Sequence, residues 1–187
     1  MPVTRLIAVT GYSGAGKTTA IELIAKLFPS TILYVGQLVN DEILRRQLPL
    51  GPESERMVRL ELRKDNGMAA LAGLAAPQVL RELRAGRAAL IDAVYNVEEF
   101  AHYRAHCDRD AKLISIEASF DIRADRVARR NGKPLSREQL LERDEVERCT
   151  LRTDVAITSA ALRVTNEASV ADLQAQLQSK LPSLLNP

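Results

Sequence analysis

Aromatic residues and cysteines are scarce in this chain, and each scarcity removes a class of structure. Only 4% of the residues are aromatic and tryptophan is absent, so the core must be built from Leu, Ile, Val and Ala. Cys107 and Cys149 are the two cysteines, and they have neither a CxxC spacing nor a neighbouring histidine cluster. We therefore expect no disulfide framework and no zinc site, and a reducing, cytoplasmic location is the simpler interpretation.

Long apolar runs and an excess of charge are missing as well. No segment approaches the roughly 20 apolar residues that span a bilayer, and a strand pattern begins at Leu6. We therefore expect neither a membrane helix nor a signal peptide. The formal net charge is +2, whereas bulk nucleic-acid binding usually needs a strong basic excess, so nucleic acid is not an expected partner.

Short apolar runs alternate with helical patterns along the 187 residues. This alternation predicts one α/β domain, residues 1–187, in which helices cover both faces of a parallel sheet. The predicted strands span residues 6–10, 31–35, 88–94, 112–118 and 162–165. The predicted helices span residues 16–28, 38–47, 53–64, 68–84 (with a kink at Pro77), 97–106, 121–130, 136–148 and 170–181.

The segment after the first strand matches the phosphate-binding pattern G-x-x-x-x-G-K-[ST], between a strand and a helix as the motif requires. Glycines allow positive φ and a close approach to phosphate, so consecutive N–H groups can form an anion nest at the helix start. A lysine supplies charge to the β and γ oxygens, and a hydroxyl can ligate Mg²⁺. The predicted nucleotide-binding residues are Gly11, Ser13, Gly14, Ala15, Gly16, Lys17, Thr18 and Thr19.

The motif predicts a bound nucleotide, ATP or GTP, but does not fix the reaction. The chain has no NKxD-type guanine-reading motif, which argues against a GTPase. It also lacks the length and the Asp-Glu strand end of a motor or transporter. The helical segments between the second and third strands, about residues 37–85, exceed a plain crossover, and in a P-loop enzyme such an insertion usually carries the second substrate.

Asp92 follows an apolar strand, and the carboxyl ends of parallel strands line the ligand crevice. Its carboxylate can hold Mg²⁺ or accept a proton from an acceptor hydroxyl; the alternative is a cap for the next turn. Asn166 follows the last strand and can contact a purine base or cap the final helix. His102 and His106 lack further ligands and are interpreted as surface or partly buried residues.

A basic helix follows the fourth strand. The i, i+3 and i+4 spacings place Arg123, Arg126 and Arg130 near one face, where guanidinium groups can clamp a transferring phosphoryl group. We predict a lid over about residues 123–148, with its tip at residues 131–132. The alternative is a solvated basic face paired with Glu138, Glu142 and Asp144. Arg143 and Asp144 are either an internal ion pair or a second lid contact.

These features together resemble the nucleoside-monophosphate kinase and dephospho-CoA kinase group, and most closely an archaeal nucleotide-kinase branch of it. The resemblance covers nearly the whole chain. It is carried by the P-loop, the arginine-rich helix, and residues 35–42, 62–63, 67, 90–93, 117–119, 142–144 and 164–167. The resemblance implies a five-stranded parallel sheet in the order 2-3-1-4-5, with an acceptor-binding helical insertion and a lid.

The resemblance also implies residue roles. Lys17 and Thr18 would handle the donor with Mg²⁺, Arg63 would bind the acceptor phosphate, and Asp92 would serve the metal or act as a base. Arg126 and Arg130 would close on the transferring group.

The acceptor side departs from the family pattern. The family places Gly-Asp-x-hydrophobic-Arg after the second strand, and here Gln37 and Asn40 stand at the acid and arginine positions as candidate substrate-binding residues. Residues 93–96 likewise lack the glycine and arginine common after the strand-end aspartate. Arg45 or Arg46 can compensate; otherwise the acceptor is not an ordinary nucleoside monophosphate.

Three functions follow. The first is a Mg·ATP-dependent small-molecule or nucleotide kinase, and the second is an ATP-binding switch that signals to a partner with little turnover. The third is a plain NTPase or a nucleic-acid-end kinase, and the near-zero net charge argues against the nucleic-acid-end kinase. The Ala-rich helix after residue 68 belongs either to the core or to a subunit interface. The sequence therefore does not decide whether the chain forms a homo-oligomer. The sequence does not select the acceptor, nor ATP over GTP.

Overall fold

A computed structural model describes residues 5–130 and 134–185. Within these ranges the chain forms five strands and nine helices. The strands are β1 (Leu6–Thr10), β2 (Ser30–Tyr34), β3 (Ala88–Asp92), β4 (Lys112–Glu117) and β5 (Leu162–Thr165). The helices are α1 (Lys17–Ala25), α2 (Val35–Arg45), α3 (Pro52–Asn66), α4 (Ala70–Arg84), α5 (Val97–His106), α6 (Phe120–Ala128), α7 (Arg137–Cys149), α8 (Thr153–Thr158) and α9 (Val170–Leu185). The predicted lid tip at residues 131–132 lies outside the described ranges.

The sheet confirms the predicted fold class. Its five strands are all parallel, in the order β2-β3-β1-β4-β5. The register pairs Val9 of β1 and Tyr34 of β2 with Asp92 of β3. The carboxyl ends of these three strands therefore meet at one edge of the sheet, where the P-loop leaves β1.

Alternate residues of β1 belong to two different cores. Leu6 and Ala8 pack on one face of the sheet under α2, α3, α4 and α5. Ile7 and Val9 pack on the other face under α1 and α9. All four residues are fully buried, which explains why the strand is a continuous apolar run in the sequence.

Helices α2, α3 and α4 form the insertion predicted between the second and third strands. The Ala-rich part of α4 is buried within the chain, since Ala70, Ala72, Ala75 and Ala76 are at most 8% exposed. This helix therefore belongs to the core, one of the two possibilities that the sequence left open. It continues through Pro77, whose side chain is exposed.

Element ends and one whole helix differ from the sequence prediction. Helix α8 was missed because a segment of six residues is too short to show a helical period. Helix α9 continues through Pro182 to Leu185 because Leu181 and Leu185 are buried against the sheet, and this packing outweighs the proline. Strands β3 and β4 end earlier than predicted, at Asp92 and Glu117.

Several smaller expectations can be compared with the structure. Helix α7 begins with a capping box between Ser136 and Gln139. His102 is partly buried and stacks on the exposed His106, with ring centroids 4.3 Å apart. Both cysteines are free thiols. In the described part of the chain, no helix combines the length and the apolarity that crossing a bilayer requires.

Candidate active site

The loop from residue 11 to residue 16 is shaped by three glycines. Gly11, Gly14 and Gly16 have positive φ of 137°, 84° and 97°, as the motif predicts. A Cβ at Gly11 would overlap the carbonyl oxygen of Ile116, and one at Gly14 would lie 2.8 Å from the carbonyl oxygen of Arg123. The loop therefore packs directly against β4 and α6, and a larger residue would not fit at these positions.

Two side chains from distant elements hold the carbonyl groups of this loop. Arg123 Nη1 donates to the carbonyl oxygen of Ser13 at 3.1 Å, and Asn166 Nδ2 donates to that of Ala15 at 2.8 Å. Asn166 is only 7% exposed, and it is not among the described residues that line the cleft above the loop. The structure thus places Asn166 against the loop backbone, while Ser169 caps the final helix.

Lys17, Thr18 and Asp92 meet where α1 begins and β3 ends. The Thr18 hydroxyl donates to Asp92 Oδ2 at 2.8 Å. Lys17 Nζ donates to the carbonyl oxygens of Gly11 and Tyr12 at 2.6 and 3.1 Å. An ammonium group has three N–H donors, so a third remains for a ligand. The structure therefore brings the Lys17 ammonium group and two oxygens that could bind a metal, from Thr18 and Asp92, together at the phosphate loop.

The Thr18 and Asp92 oxygens fit the chemistry of Mg²⁺. Mg²⁺ prefers oxygen ligands and usually takes one or two from the protein, with water and substrate phosphates supplying the rest. No group of three or more His, Cys, Asp or Glu side chains suited to a metal exists among the described residues. The hydrogen bond between Asp92 and Thr18 favours the metal interpretation of Asp92 over a turn cap.

A cleft of about 640 Å³ opens at this edge of the sheet. Its volume is within the range of small-molecule sites. The P-loop, the insertion, the end of β3 and the lid helices all contribute to its walls. The described lining residues are Ser13, Gly14, Gly16, Lys17, Thr18, Thr19, Tyr34, Val35, Gly36, Arg59, Leu71, Asp92, Ala93, Tyr95, Arg126, Arg130 and Arg143.

Three arginines of α6, its C-terminal end and α7 line this cleft. Arg130 is exposed, and Arg126 Nη1 donates to the Asn166 carbonyl oxygen at 2.9 Å. Arg143 Nε donates to Glu147 at 2.9 Å, and the Glu147 side chain is buried. The two arginines that the sequence assigns to the transferring group therefore lie on the cleft, with Arg143 as a third cation.

Arg123 faces the interior, although its spacing groups it with Arg126 and Arg130. It is 6% exposed, and its two terminal nitrogens donate to both carboxylate oxygens of Asp144 at 2.9 and 2.6 Å. Asp144 thus forms its ion pair with Arg123 of α6 and not with the adjacent Arg143. Helical spacing shows which residues share a face but not which neighbour covers it.

The predicted substrate-binding residues make other contacts. Gln37 is exposed and donates to Asp41 at 2.9 Å. Asn40 has a buried Oδ1 for which the described residues offer no partner. Arg63 pairs with Glu99 at 3.1 Å, and the two side chains are 11% and 3% exposed. Among the described residues, none of the three predicted positions lines the cleft.

Glu99 connects the insertion to the loop after β3. One carboxylate oxygen accepts from Arg63, and the other accepts from the backbone N–H of Tyr95 at 2.9 Å. The backbone N–H of Glu99 in turn donates to Asn96 Oδ1 at 2.7 Å. Burial raises the pKa of Glu99, and the Arg63 charge opposes that shift. Arg63 therefore joins α3 to the loop that follows Asp92.

The cleft residues that sequence reasoning missed include Arg59, Tyr34 and Tyr95. Arg59 lies one turn before Arg63 on α3, and its ion pair with Glu55 at 3.2 Å leaves the side chain 32% exposed. A four-residue offset on a helix would have marked Arg59 as an alternative to Arg63. Both tyrosines lie at or just after strand ends, where the rule that selected Asp92 also applies.

Comparison with known proteins gives the family. The domain family described as an AAA domain matches residues 7–150. A UPF0200 protein of Methanocaldococcus jannaschii is 31% identical over 183 residues, which cover 97% of this chain and 91% of the relative. A UPF0200/UPF0201 protein of Archaeoglobus fulgidus is 30% identical over 182 residues, which cover 96% of this chain but 56% of the relative. The chain therefore spans little more than half of that second protein.

Solved structures share the fold over nearly the whole chain. A gluconokinase from Sinorhizobium meliloti has a TM-score of 0.63 at 16% identity, covering 99% of this chain and 95% of its own. A shikimate kinase from Acinetobacter baumannii, in complex with shikimate, has a TM-score of 0.59 at 14% identity, covering 96% and 94%. Identities this low show the fold alone. The chain belongs to the UPF0200 family and has a P-loop kinase-like fold.

Proposed function

We propose that the chain is a Mg·ATP-dependent phosphotransferase for a small, nucleotide-like or otherwise anionic acceptor. The observation that carries the proposal is the Thr18–Asp92 contact of 2.8 Å at a complete P-loop, in a cleft that the insertion and three arginines also line. GTP carries the same triphosphate group, so the experiment below compares ATP with GTP.

The arrangement supports in-line transfer of the γ-phosphoryl group. The loop N–H groups and Lys17 bind the β- and γ-phosphates, and Arg126 and Arg130 offset charge on the transferred group. An acceptor oxygen bonds to the γ-phosphorus as the bond to the bridging oxygen breaks, which leaves ADP. A phosphate acceptor releases no proton, whereas a hydroxyl acceptor must release one. Asp92 accepts that proton in the alternative in which it acts as the base and Thr18 alone holds the metal. Mg²⁺ at Thr18 and Asp92 would neutralise phosphate charge.

Arg59 supports an anionic acceptor. Among the described residues of the insertion, Arg59 is the cation that lines the cleft. Its pair with Glu55 leaves the side chain 32% exposed, whereas Arg63 is 11% exposed against Glu99. Tyr34 and Tyr95 add aromatic surface to the same cleft. We therefore assign acceptor recognition to the insertion at residues 37–85 and closure to the lid at residues 123–148, within one domain of residues 1–187.

A second candidate is a nucleotide-dependent switch with little turnover. It is favoured by the positions of Gln37, Asn40 and Arg63, none of which is a described residue of the cleft lining. In such a protein the lid would close on the nucleotide and present a surface to a partner.

The experiment is a coupled ADP-release assay with Mg·ATP and Mg·GTP across a panel of acceptors. The panel contains nucleoside and deoxynucleoside monophosphates, dephospho-CoA, gluconate and shikimate. Lys17→Ala is the inactive control, and Lys26→Ala, exposed at the end of the same helix, is its matched partner.

Turnover that depends on one acceptor, vanishes in Lys17→Ala and persists in Lys26→Ala would support the kinase and name its substrate. Nucleotide binding without any acceptor-dependent release would favour the switch.

A further inference from the structure

Arg123 contacts the phosphate loop and the lid at once. Its guanidinium group donates to the carbonyl oxygen of Ser13 at 3.1 Å, to that of Ala118 at 3.2 Å, and to both oxygens of Asp144. The guanidinium carbon also lies 5.3 and 5.5 Å from the ring centroids of Tyr12 and Phe120. Four of the five N–H groups of the buried Arg123 guanidinium therefore have partners, and these partners lie in the P-loop, just after β4 and on α7.

The contact with Ser13 orients one N–H group of the anion nest. In a planar trans peptide the carbonyl and the N–H point in opposite directions. Because Arg123 holds the Ser13 carbonyl, the N–H of Gly14 points away from Arg123. Asn166 acts in the same way on the Ala15 carbonyl and so on the N–H of Gly16. An anion nest needs its N–H groups turned toward the phosphate, and these two side chains hold the loop in a fixed orientation.

The contact with Asp144 extends this constraint to α7. Asp144 is 18% exposed and receives a bidentate, charge-assisted pair of hydrogen bonds from Arg123. The residue before it, Arg143, lines the cleft. Helices α6 and α7 also share a small core of Ala124, Val127 and Leu140. A change in the position of Arg123 therefore reaches α7 directly.

We propose that Arg123 is a positioning residue that couples nucleotide binding to the docking of α7. A phosphate in the nest binds the Gly14 N–H in the orientation that Arg123 holds, so it favours the state in which Arg123 also holds Asp144. That difference in affinity between the two states is the source of the coupling. By linkage, α7 docking strengthens nucleotide binding by the same factor as the nucleotide strengthens docking. This inference rests on nucleotide binding at the P-loop, as in the proposed function.

The chain offers a matched control for this ion pair. Arg137 of α7 pairs with Asp121 of α6 at 2.6 Å, so it joins the same two helices. The two side chains are 54% and 82% exposed, and neither is a described residue of the cleft lining. Asp121→Asn therefore removes an α6–α7 ion pair that makes no direct contact with the phosphate loop. Arg137 approaches Arg123 through the ring of Phe120, whose centroid lies 4.8 Å from the Arg137 guanidinium carbon, and the substitution at Asp121 leaves that ring in place.

The test measures two quantities in the full chain: Mg·ADP affinity by calorimetry, and hydrogen exchange of α7 amides with and without Mg·ADP. In the unmodified chain we expect Mg·ADP to slow exchange over Arg137–Cys149 as well as over the P-loop. Asp144→Asn should weaken Mg·ADP binding about tenfold, within the usual range of coupling factors, and should abolish the slowing in α7. Asp121→Asn should change neither quantity.

Each outcome decides between the proposals. The coupling is overturned when Mg·ADP slows hydrogen exchange in the P-loop but not in α7 of the unmodified chain. This measurement requires no variant. The coupling also fails when Asp144→Asn behaves like Asp121→Asn. Arg123→Lys, which cannot form the bidentate pair, replaces Asp144→Asn should that variant fold poorly by circular dichroism. Absence of Mg·ADP and Mg·ATP binding overturns the proposed function itself, and the coupling with it.

Discussion

The nucleotide end and the insertion end of the cleft use their polar groups differently. At the P-loop, the carbonyl groups of Ser13 and Ala15 are held by side chains, so the N–H groups of Gly14 and Gly16 are turned to the opposite side. At the insertion, Arg63 is held by Glu99, and Arg45 and Arg46 are both held by Glu42. At the P-loop end, the contacts orient backbone N–H groups for a ligand. At the insertion end, these three arginines are paired with carboxylates and do not line the cleft.

The contrast has a physical origin. A phosphate nest is made by the backbone of consecutive residues, so its geometry is fixed locally by glycines and a helix start. Acceptor recognition depends on single side chains of packed helices, and any of them can pair with a nearby carboxylate instead. A sequence therefore specifies the first kind of site more directly than the second.

The largest expected effect concerns the pair that binds α3 to the loop after β3. Glu99→Ala should lower the free energy of unfolding by about 3–5 kcal/mol, because it leaves the Arg63 charge buried without a partner. Urea unfolding measures this change. Glu98→Ala, on the neighbouring residue of α5, is the control and should cost less than about 1 kcal/mol. Equal losses in the two variants would show that Arg63 is solvated and free to bind an acceptor.

The next effect sharpens the nucleotide side. Asp92→Asn keeps the size of the side chain but removes its charge, and we expect about a hundredfold loss of turnover. It should also flatten the dependence of nucleotide affinity on Mg²⁺, which calorimetry at several Mg²⁺ concentrations measures. Thr18→Ser retains the hydroxyl and should preserve most of that dependence. An unchanged Mg²⁺ response in Asp92→Asn would remove Asp92 from the metal site.

A smaller effect tests the acceptor side. Arg59→Ala should raise the KM for the acceptor about tenfold and leave ATP affinity unchanged, because a charged hydrogen bond contributes about 1.5–3 kcal/mol. Steady-state kinetics with the acceptor identified by the panel measures both. Arg56→Ala, exposed on the same helix and absent from the described cleft lining, should change neither. A similar KM in the two variants would show that Arg59 does not bind the acceptor.

The sequence was sufficient where function depends on neighbours along the chain. The P-loop glycines, the position of Asp92 at a strand end, and the capping box at Ser136 and Gln139 all depend on local patterns, and the structure contains each of them. The strand order followed from the family resemblance rather than from periodicity.

The sequence was insufficient where a contact joins distant residues. Arg63 and Glu99 are 36 positions apart, and Asn166 reaches the Ala15 carbonyl across 151 positions. Periodicity also assigned Arg123 to a cleft-facing group, because it cannot show that Asp144 of the next helix covers that residue. Such partners become visible only when the packing of the helices is known.

The smallest effect concerns the two arginines that α2 keeps away from the cleft. Hydrogen bonds from Arg45 and Arg46 lower the pKa of Glu42 from 4.5 to about 2. A carboxyl with a depressed pKa stabilises the fold above its unfolded value, near pH 4.5, and that contribution is lost as the pH falls toward 2. Because Arg45 is 71% exposed, solvent screening limits the contribution to less than about 1 kcal/mol.

Glu42→Gln should therefore lower the free energy of unfolding slightly at pH 7, and the difference from the unmodified chain should vanish near pH 2. Urea unfolding at several pH values measures this. Asp41→Asn, at the exposed neighbour whose partner is the neutral Gln37, should show a smaller pH-dependent difference. A difference that does not change with pH would mean that Glu42 does not hold Arg45 and Arg46 in solution. The insertion would then offer two more cations to an acceptor, and the contrast between the two ends of the cleft would be weaker.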